Sequence, residues 1–102
     1  IVDLRKKSNT FKNWAGIYLN SKNFTQIWIP EGFAHGFLAL ESNTIFEYKV
    51  TNYWSNDHEI TMSWMDPDIQ VKWPIDHSDL IISKKDSEAS TLESLQKSNE
   101  IF

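Results

Sequence analysis

Apolar residues recur along this chain at short, even spacing, and the pattern predicts strands. Runs rich in β-branched and aromatic residues fall at IVDLR (1–5), WAGIYL (14–19), FTQIWI (24–29), FAHGFLAL (33–40), TIFEYKV (44–50), EITMSW (59–64) and IQVKW (69–73), with a weaker run at LIIS (80–83). Turn-forming clusters separate them: KKSNT, NSKN, PEG, ESN, SNDH, DPD and PIDHSD. Seven or eight short strands without a long helical period predict an all-β antiparallel sandwich or barrel. After Ser83 the pattern changes. In KKDSEASTLESLQKSNE, Leu92 and Leu95 stand at helical spacing on a polar background, which predicts a short surface helix and a loose, solvated end.

Register sharpens one part of this picture. Alternation in TIFEYKV puts Phe46, Tyr48 and Val50 on one face and Ile45, Glu47 and Lys49 on the other. A hairpin at ESNT with Leu40 opposite Ile45 would set Phe37 opposite Tyr48 and His35 opposite Val50. His35 and Tyr48 would then be diagonal neighbours on one face. A loop one residue longer or shorter would separate them.

The length of 102 residues sets a single domain, and 40% hydrophobic residues with five Trp, six Phe and three Tyr mark a folded chain. A net charge of -4 supplies no basic stripe, which excludes nucleic acid as a bulk-charge partner. The absence of cysteine excludes a disulfide framework and a thiolate metal site. No apolar run approaches the roughly 20 residues that cross a bilayer, and no signal segment is visible. The expectation is a soluble, cytoplasmic protein with no membrane partner. The opening IVDLRKKS is strand-like from its first residue, and it reads as a sequence entered in the middle of a sheet.

Candidate chemistry centres on His35, which lies in IWIPEGFAHGFLAL between two glycines and two phenylalanines. A core histidine, a metal ligand and the wall of a binding site are all compatible with that position. Small barrels hold metals with two or three histidines and a carboxylate, but His35, His58 and His77 never fall as His-x-His. His58 and His77 sit in polar turns, as exposed loop histidines do. No G-x-S-x-G elbow and no glycine-rich phosphate cradle is present. A tyrosine such as Tyr48 can hand over a proton at neutral pH, or simply serve as a core residue. Tyr53 and Trp54 read as edge packing or as a platform for a nucleobase. In SKKDS, Asp86 is either a helix N-cap or a carboxylate that orients a histidine, and Lys85 is suited to a phosphate.

In order, VDLRKKSNTFKNW, QIWIPEGFAHGFLAL, FEYKVTNYW, WMDPDIQVKWP and LIISKKD resemble the carboxy-terminal part of the dTDP-4-dehydrorhamnose 3,5-epimerase family. The resemblance runs from Ile1 to about Asp86. It implies a cupin-type antiparallel jelly roll (residues 1–86, with amino-terminal strands absent) followed by a polar helix or tail (87–102). It further implies a homodimer, no metal and no cofactor. The implied substrate is dTDP-4-dehydro-6-deoxy-D-glucose, epimerised at carbons 3 and 5.

Carried over position by position, the resemblance makes Tyr48 the proton donor and Asp86 the aspartate that orients a catalytic histidine. His35, Trp54, Glu59 and Lys85 become substrate-binding residues. Trp54 stands where the family has a tyrosine, keeping a stacking surface without the hydroxyl. The family's base is a histidine in an Arg-Gly-Leu-His-Tyr segment, and none of the three histidines here matches it. The expectation is therefore a fragment bearing the acid but not the base. Its alternatives are a non-catalytic dTDP-sugar-binding module and a sister dTDP-sugar 3-epimerase or ketoisomerase.

Overall fold

Asp3 organises the start of the chain. In the computed structural model, which describes residues 1–102, β1 (Val2–Asp3) pairs antiparallel with β2 (Phe33–Ala34), Val2 opposite Ala34 and Asp3 opposite Phe33. On its other side Val2 bridges Trp14, and Asp3 N–H donates to Asn13 O at 3.0 Å. The intervening turn is held from within, because the Asp3 carboxylate accepts from Arg5 Nε (2.9 Å), Arg5 Nη2 (2.8 Å), Ser8 Oγ (2.6 Å) and Thr10 Oγ1 (2.7 Å). Asp3 is only 2% exposed, and these donors satisfy a buried charge that would otherwise be costly. Arg5 in turn lies over the Phe33 ring, 4.5 Å from its centroid.

A second anchor is Asp66, 3% exposed. Its carboxylate accepts from Asp68 N–H (3.0 Å) and Ile69 N–H (3.2 Å), which shapes the DPDI turn, and from Leu92 N–H (2.7 Å), which ties that turn to the C-terminal segment. There α1 (Lys84–Ser87) and α2 (Leu92–Lys97) form. Thr91 caps α2 by accepting from Ser94 N–H. Asn99, at φ 59, then turns the chain so that Glu100 N–H reaches Leu95 O at 2.9 Å.

The core is small: Val2, Leu4, Ile69, Leu92, Leu95 and Ile101, with Phe11, Ala34, Met62 and Val71 packed against it. The helix expected around Leu92 and Leu95 is present, but the expectation of a solvated end is corrected, since Leu92 is fully buried and Ile101 also joins the core. Amphipathic spacing identified the helix; only the core shows what it covers.

Most of the expected strands do not form. Of the runs at 14–19, 24–29, 44–50, 59–64, 69–73 and 80–83, the first and fourth contribute single bridges, Val2 to Trp14 and Met62 to Ser90, and the others none. In place of the expected all-β sandwich the chain is largely non-helical, with a two-stranded antiparallel sheet and two short helices. The physical reason is that a strand, unlike a helix, satisfies its backbone only through a neighbour. Backbone groups make 26 mutual hydrogen bonds, against about 70 for a domain of this length.

Surface area tells the same story. The chain exposes 8823 Å², whereas a folded 12.0 kDa monomer is expected to expose about 6,000 Å². Phe24, Trp28, Ile45 and Ile81 are among the large apolar side chains left on the outside. The 35–50 hairpin has no backbone ladder, so the expected pairing of Phe37 with Tyr48 is not made. Phe37 instead stacks on Phe46, centroids 3.9 Å apart, and Phe46 meets Tyr48 at 5.5 Å. That contact is the diagonal of the expected register, with Phe46 and Tyr48 adjoining as alternation requires. No helix is long and apolar enough to cross a membrane.

Candidate functional site

The SKKD segment builds the site's cation from a helix start. Ser83, not Asp86, is the N-cap of α1: its hydroxyl accepts from Asp86 N–H at 3.1 Å and donates to Asp86 Oδ2 at 2.6 Å. The expected capping role of Asp86 is thereby corrected, because an Asp three residues past a serine closes the reciprocal pair from inside the helix. Lys85, in the first turn, reaches across 26 residues of sequence to form an ion pair with Glu59.

Each partner perturbs the other. The hydrogen bond from Lys85 holds the Glu59 carboxyl below its ordinary value against partial loss of solvent, with the Trp54 side chain adding a smaller effect. Lys85 is raised above its ordinary value, first by the hydrogen bond to Glu59 and then by the charge of Glu59, with Asp86 adding less. A cation is thus fixed by Glu59, with Asp86 next to it in the chain.

Beside Glu59 opens a cavity of about 510 Å³ lined by Asn52, Tyr53, Trp54, Ser55, His58 and Glu59. Its wall borrows His58 from the short helical turn Asn56–His58, which Glu59 closes through its N–H to Asn56 O. Within that turn Ser55 Oγ and His58 Nδ1 are hydrogen-bonded at 2.9 Å. The rings of Tyr53 and Trp54 are both open to solvent. Such a wall can take a flat ring on its aromatic faces and an anion at the adjoining cation.

The structure therefore brings Trp54, Glu59, Lys85 and Asp86 into one neighbourhood, while the ring contact of Tyr48 is with Phe46. His35 is exposed one residue past β2 and makes no hydrogen bond, so nothing joins it to this group. His77 packs edge-on against Trp64, ring centroids 5.2 Å apart. His58 is exposed, as expected, but it also lines the cavity. Sequence reasoning missed that role, although the Ser-x-x-His spacing of Ser55 and His58 was a signal of a side chain oriented by a turn.

Comparison with known proteins assigns the class first. The chain falls among the dTDP-sugar isomerases, with the family model described as dTDP-4-dehydrorhamnose 3,5-epimerase matching residues 1–94. It belongs to the dTDP-4-dehydrorhamnose 3,5-epimerase family. The protein of that name from Methanothermobacter thermautotrophicus is 48% identical over 86 residues, covering 83% of this chain and 46% of the relative. The Pseudomonas aeruginosa protein is 44% identical over 83 residues (81% and 46%), and that of Escherichia coli 44% over 94 residues (92% and 50%). The chain spans about half the length of the curated relatives it matches. No solved structure matches it.

Proposed function

We propose that this chain supplies the acid side and part of the nucleotide wall of a dTDP-4-dehydrorhamnose 3,5-epimerase acting on dTDP-4-dehydro-6-deoxy-D-glucose. The observation that carries the reading is the Lys85–Glu59 ion pair, with Asp86 next to it in the chain and Trp54 on the same wall as Glu59, and family membership supports reading this group as a sugar-nucleotide site. The ketone at carbon 4 acidifies the protons on carbons 3 and 5, so a base removes one and an enolate forms. Tyr48 donates its phenolic proton to the opposite face of that carbon, and its oxygen is reprotonated from water. Asp86 orients the base, a histidine of the family that none of His35, His58 and His77 matches. Lys85 meets the diphosphate, which competes with Glu59 for the cation, and Trp54 stacks on the base. His35 belongs to the sugar wall once the surrounding sheet is complete.

The same reading makes the working protein a cupin-type jelly roll, homodimeric and cytoplasmic, in which the apolar runs around Trp28, Ile45 and Ile81 are covered. The excess surface of about 2,800 Å² over a compact monomer lies in the range that obligate interfaces bury, which supports such cover. The test is deuterium incorporation from heavy water at carbons 3 and 5, read by mass spectrometry, alongside calorimetry with dTDP. Saturable dTDP binding without exchange is expected for the 102-residue chain. Rapid exchange by this chain alone would overturn the placement of the base, and absence of dTDP binding would overturn the site.

A further inference from the structure

We propose that Glu59 is a built-in competitor of the phosphate groups: it holds Lys85 in the empty site and releases it when the diphosphate binds, so that removing its charge tightens binding. The inference rests on the reading above, in which Lys85 takes the diphosphate, and it gives Glu59 a role exercised through Lys85. Glu59 is the carboxylate that engages this cation. Asp86, next to Lys85 in the chain, is held instead by the Ser83 hydroxyl at 2.6 Å, and Lys84 faces Glu88 at 3.9 Å. Without the charge of Glu59, Lys85 would stand unopposed.

Two features make the pair exchangeable. The side chains of Lys85 and Glu59 are 56% and 35% exposed, and an ion pair so open to water is weak. Nor does the pair hold its two segments together. Met62 bridges Ser90, with Ser63 N–H donating to Ser90 O at 2.8 Å and Ser90 N–H to Thr61 O at 3.2 Å. That backbone tie lies close in sequence to both partners, so Lys85 can leave Glu59 without parting the segments. Glu59 also shares the cavity wall with Trp54, so a ligand with its ring on Trp54 and its phosphates at Lys85 must pass the carboxylate. One cation then faces two anions, and the diphosphate, which carries the larger charge, displaces the carboxylate. A carboxylate that only stapled the segments, or only bound the ligand, would weaken binding when neutralised.

Calorimetry of the 102-residue chain with dTDP and with inorganic pyrophosphate, at pH 7.5 and two ionic strengths, decides between these roles. Glu59→Gln keeps the shape of the side chain and removes its charge, and it should bind both probes about two- to fivefold more tightly than wild type, the range of one exposed ion pair. Its affinity should also fall more steeply with salt, because the wild-type contact to phosphate forms at the expense of an existing ion pair. Glu59→Asp, shorter but still charged, should fall between the two. Glu59 lies outside the buried core, and far-UV circular dichroism checks each variant, with Glu59→Asp as the second route should Glu59→Gln misfold. Equal or weaker dTDP binding by Glu59→Gln, or tightening with dTDP but not with pyrophosphate, overturns the inference and leaves the nucleotide site standing. Failure of both wild type and Glu59→Gln to bind dTDP instead overturns the nucleotide reading itself.

Discussion

Replacing Gly32 by alanine tests whether the buried Asp3 network governs the folded half of the chain. Gly32 is buried at φ +86, a conformation that L side chains rarely adopt. Its carbonyl accepts from Leu4 N–H at 3.0 Å, so the backbone there cannot relax without disturbing the core. A Cβ at this position would stand 2.5 Å from Arg5 Cγ and 2.9 Å from Arg5 Cδ. The left-handed conformation costs an alanine about 1–2 kcal/mol, and the gain from a stiffer unfolded chain returns about 0.4–1 kcal/mol, leaving about 1 kcal/mol. Overpacking against Arg5 adds about 1–3 kcal/mol, because the guanidinium is anchored at once by Asp3 and by the Phe33 ring and cannot swing away freely. Gly32→Ala should therefore destabilise by about 2–4 kcal/mol in urea unfolding followed by tryptophan fluorescence at pH 7. A double-mutant cycle with Arg5→Ala isolates the contact: in that background Gly32→Ala should cost only the backbone share of about 1 kcal/mol. A coupling below about 0.5 kcal/mol would refute the reasoning, since the Cβ would then be meeting nothing that matters.

Three further outcomes follow from named contacts. Arg5, Ser8 and Thr10 hold the Asp3 carboxyl well below the usual carboxylate range, so its stabilising effect is complete above the unfolded value near pH 4 and is lost as pH falls through that value toward the folded one. Urea midpoints measured at pH 7, 5 and 3 should drop between the last two in wild type, and Asp3→Asn should flatten the drop. Leu92→Ala, at a fully buried position, should cost about 2–5 kcal/mol in the same unfolding assay. A loss under about 0.5 kcal/mol would return α2 to the surface role first read from its sequence. Lys85→Met should weaken dTDP binding about tenfold and reduce its dependence on salt, as expected for one charge-assisted contact to a phosphate; calorimetry at two ionic strengths reads both.

How much of this was legible in the sequence follows from how each element is satisfied. α2 was legible because Thr91, Leu92 and Leu95 carry its cap and its apolar face within a few residues. β1 and β2 fall inside two of the expected runs, IVDLR and FAHGFLAL, and the Phe46–Tyr48 side of TIFEYKV is as alternation predicts. The remaining runs stay unpaired here because period-two alternation reports a tendency to pair, while pairing itself requires neighbours that the sequence of one strand does not name. Asp3 was passed over for a related reason. It lies in an apolar run, and its four side-chain bonds come from Arg5 at the end of that run and from Ser8 and Thr10 in the turn after it, so burial of the charge shows up only when the three fold back together.

The candidate site follows the same division, and this bears on what the chain can do alone. Lys85 is set by the Ser83 cap and Glu59 by the Asn56–His58 turn. These are local devices, closed by hydrogen bonds spanning three or four residues, and they form without any sheet around them. Their meeting across 26 residues had no signal in spacing and was suggested only by family resemblance. His35 and Tyr48 depend on the opposite kind of order. Their shared face exists only if the 35–50 hairpin has a ladder, and no backbone bond joins its two arms here. On the proposed reading, the nucleotide side of the site is built from turns that form in this chain, which spans about half the length of its relatives, while the sugar side depends on strand pairing. That asymmetry is why dTDP binding and proton exchange are expected to part company in this chain.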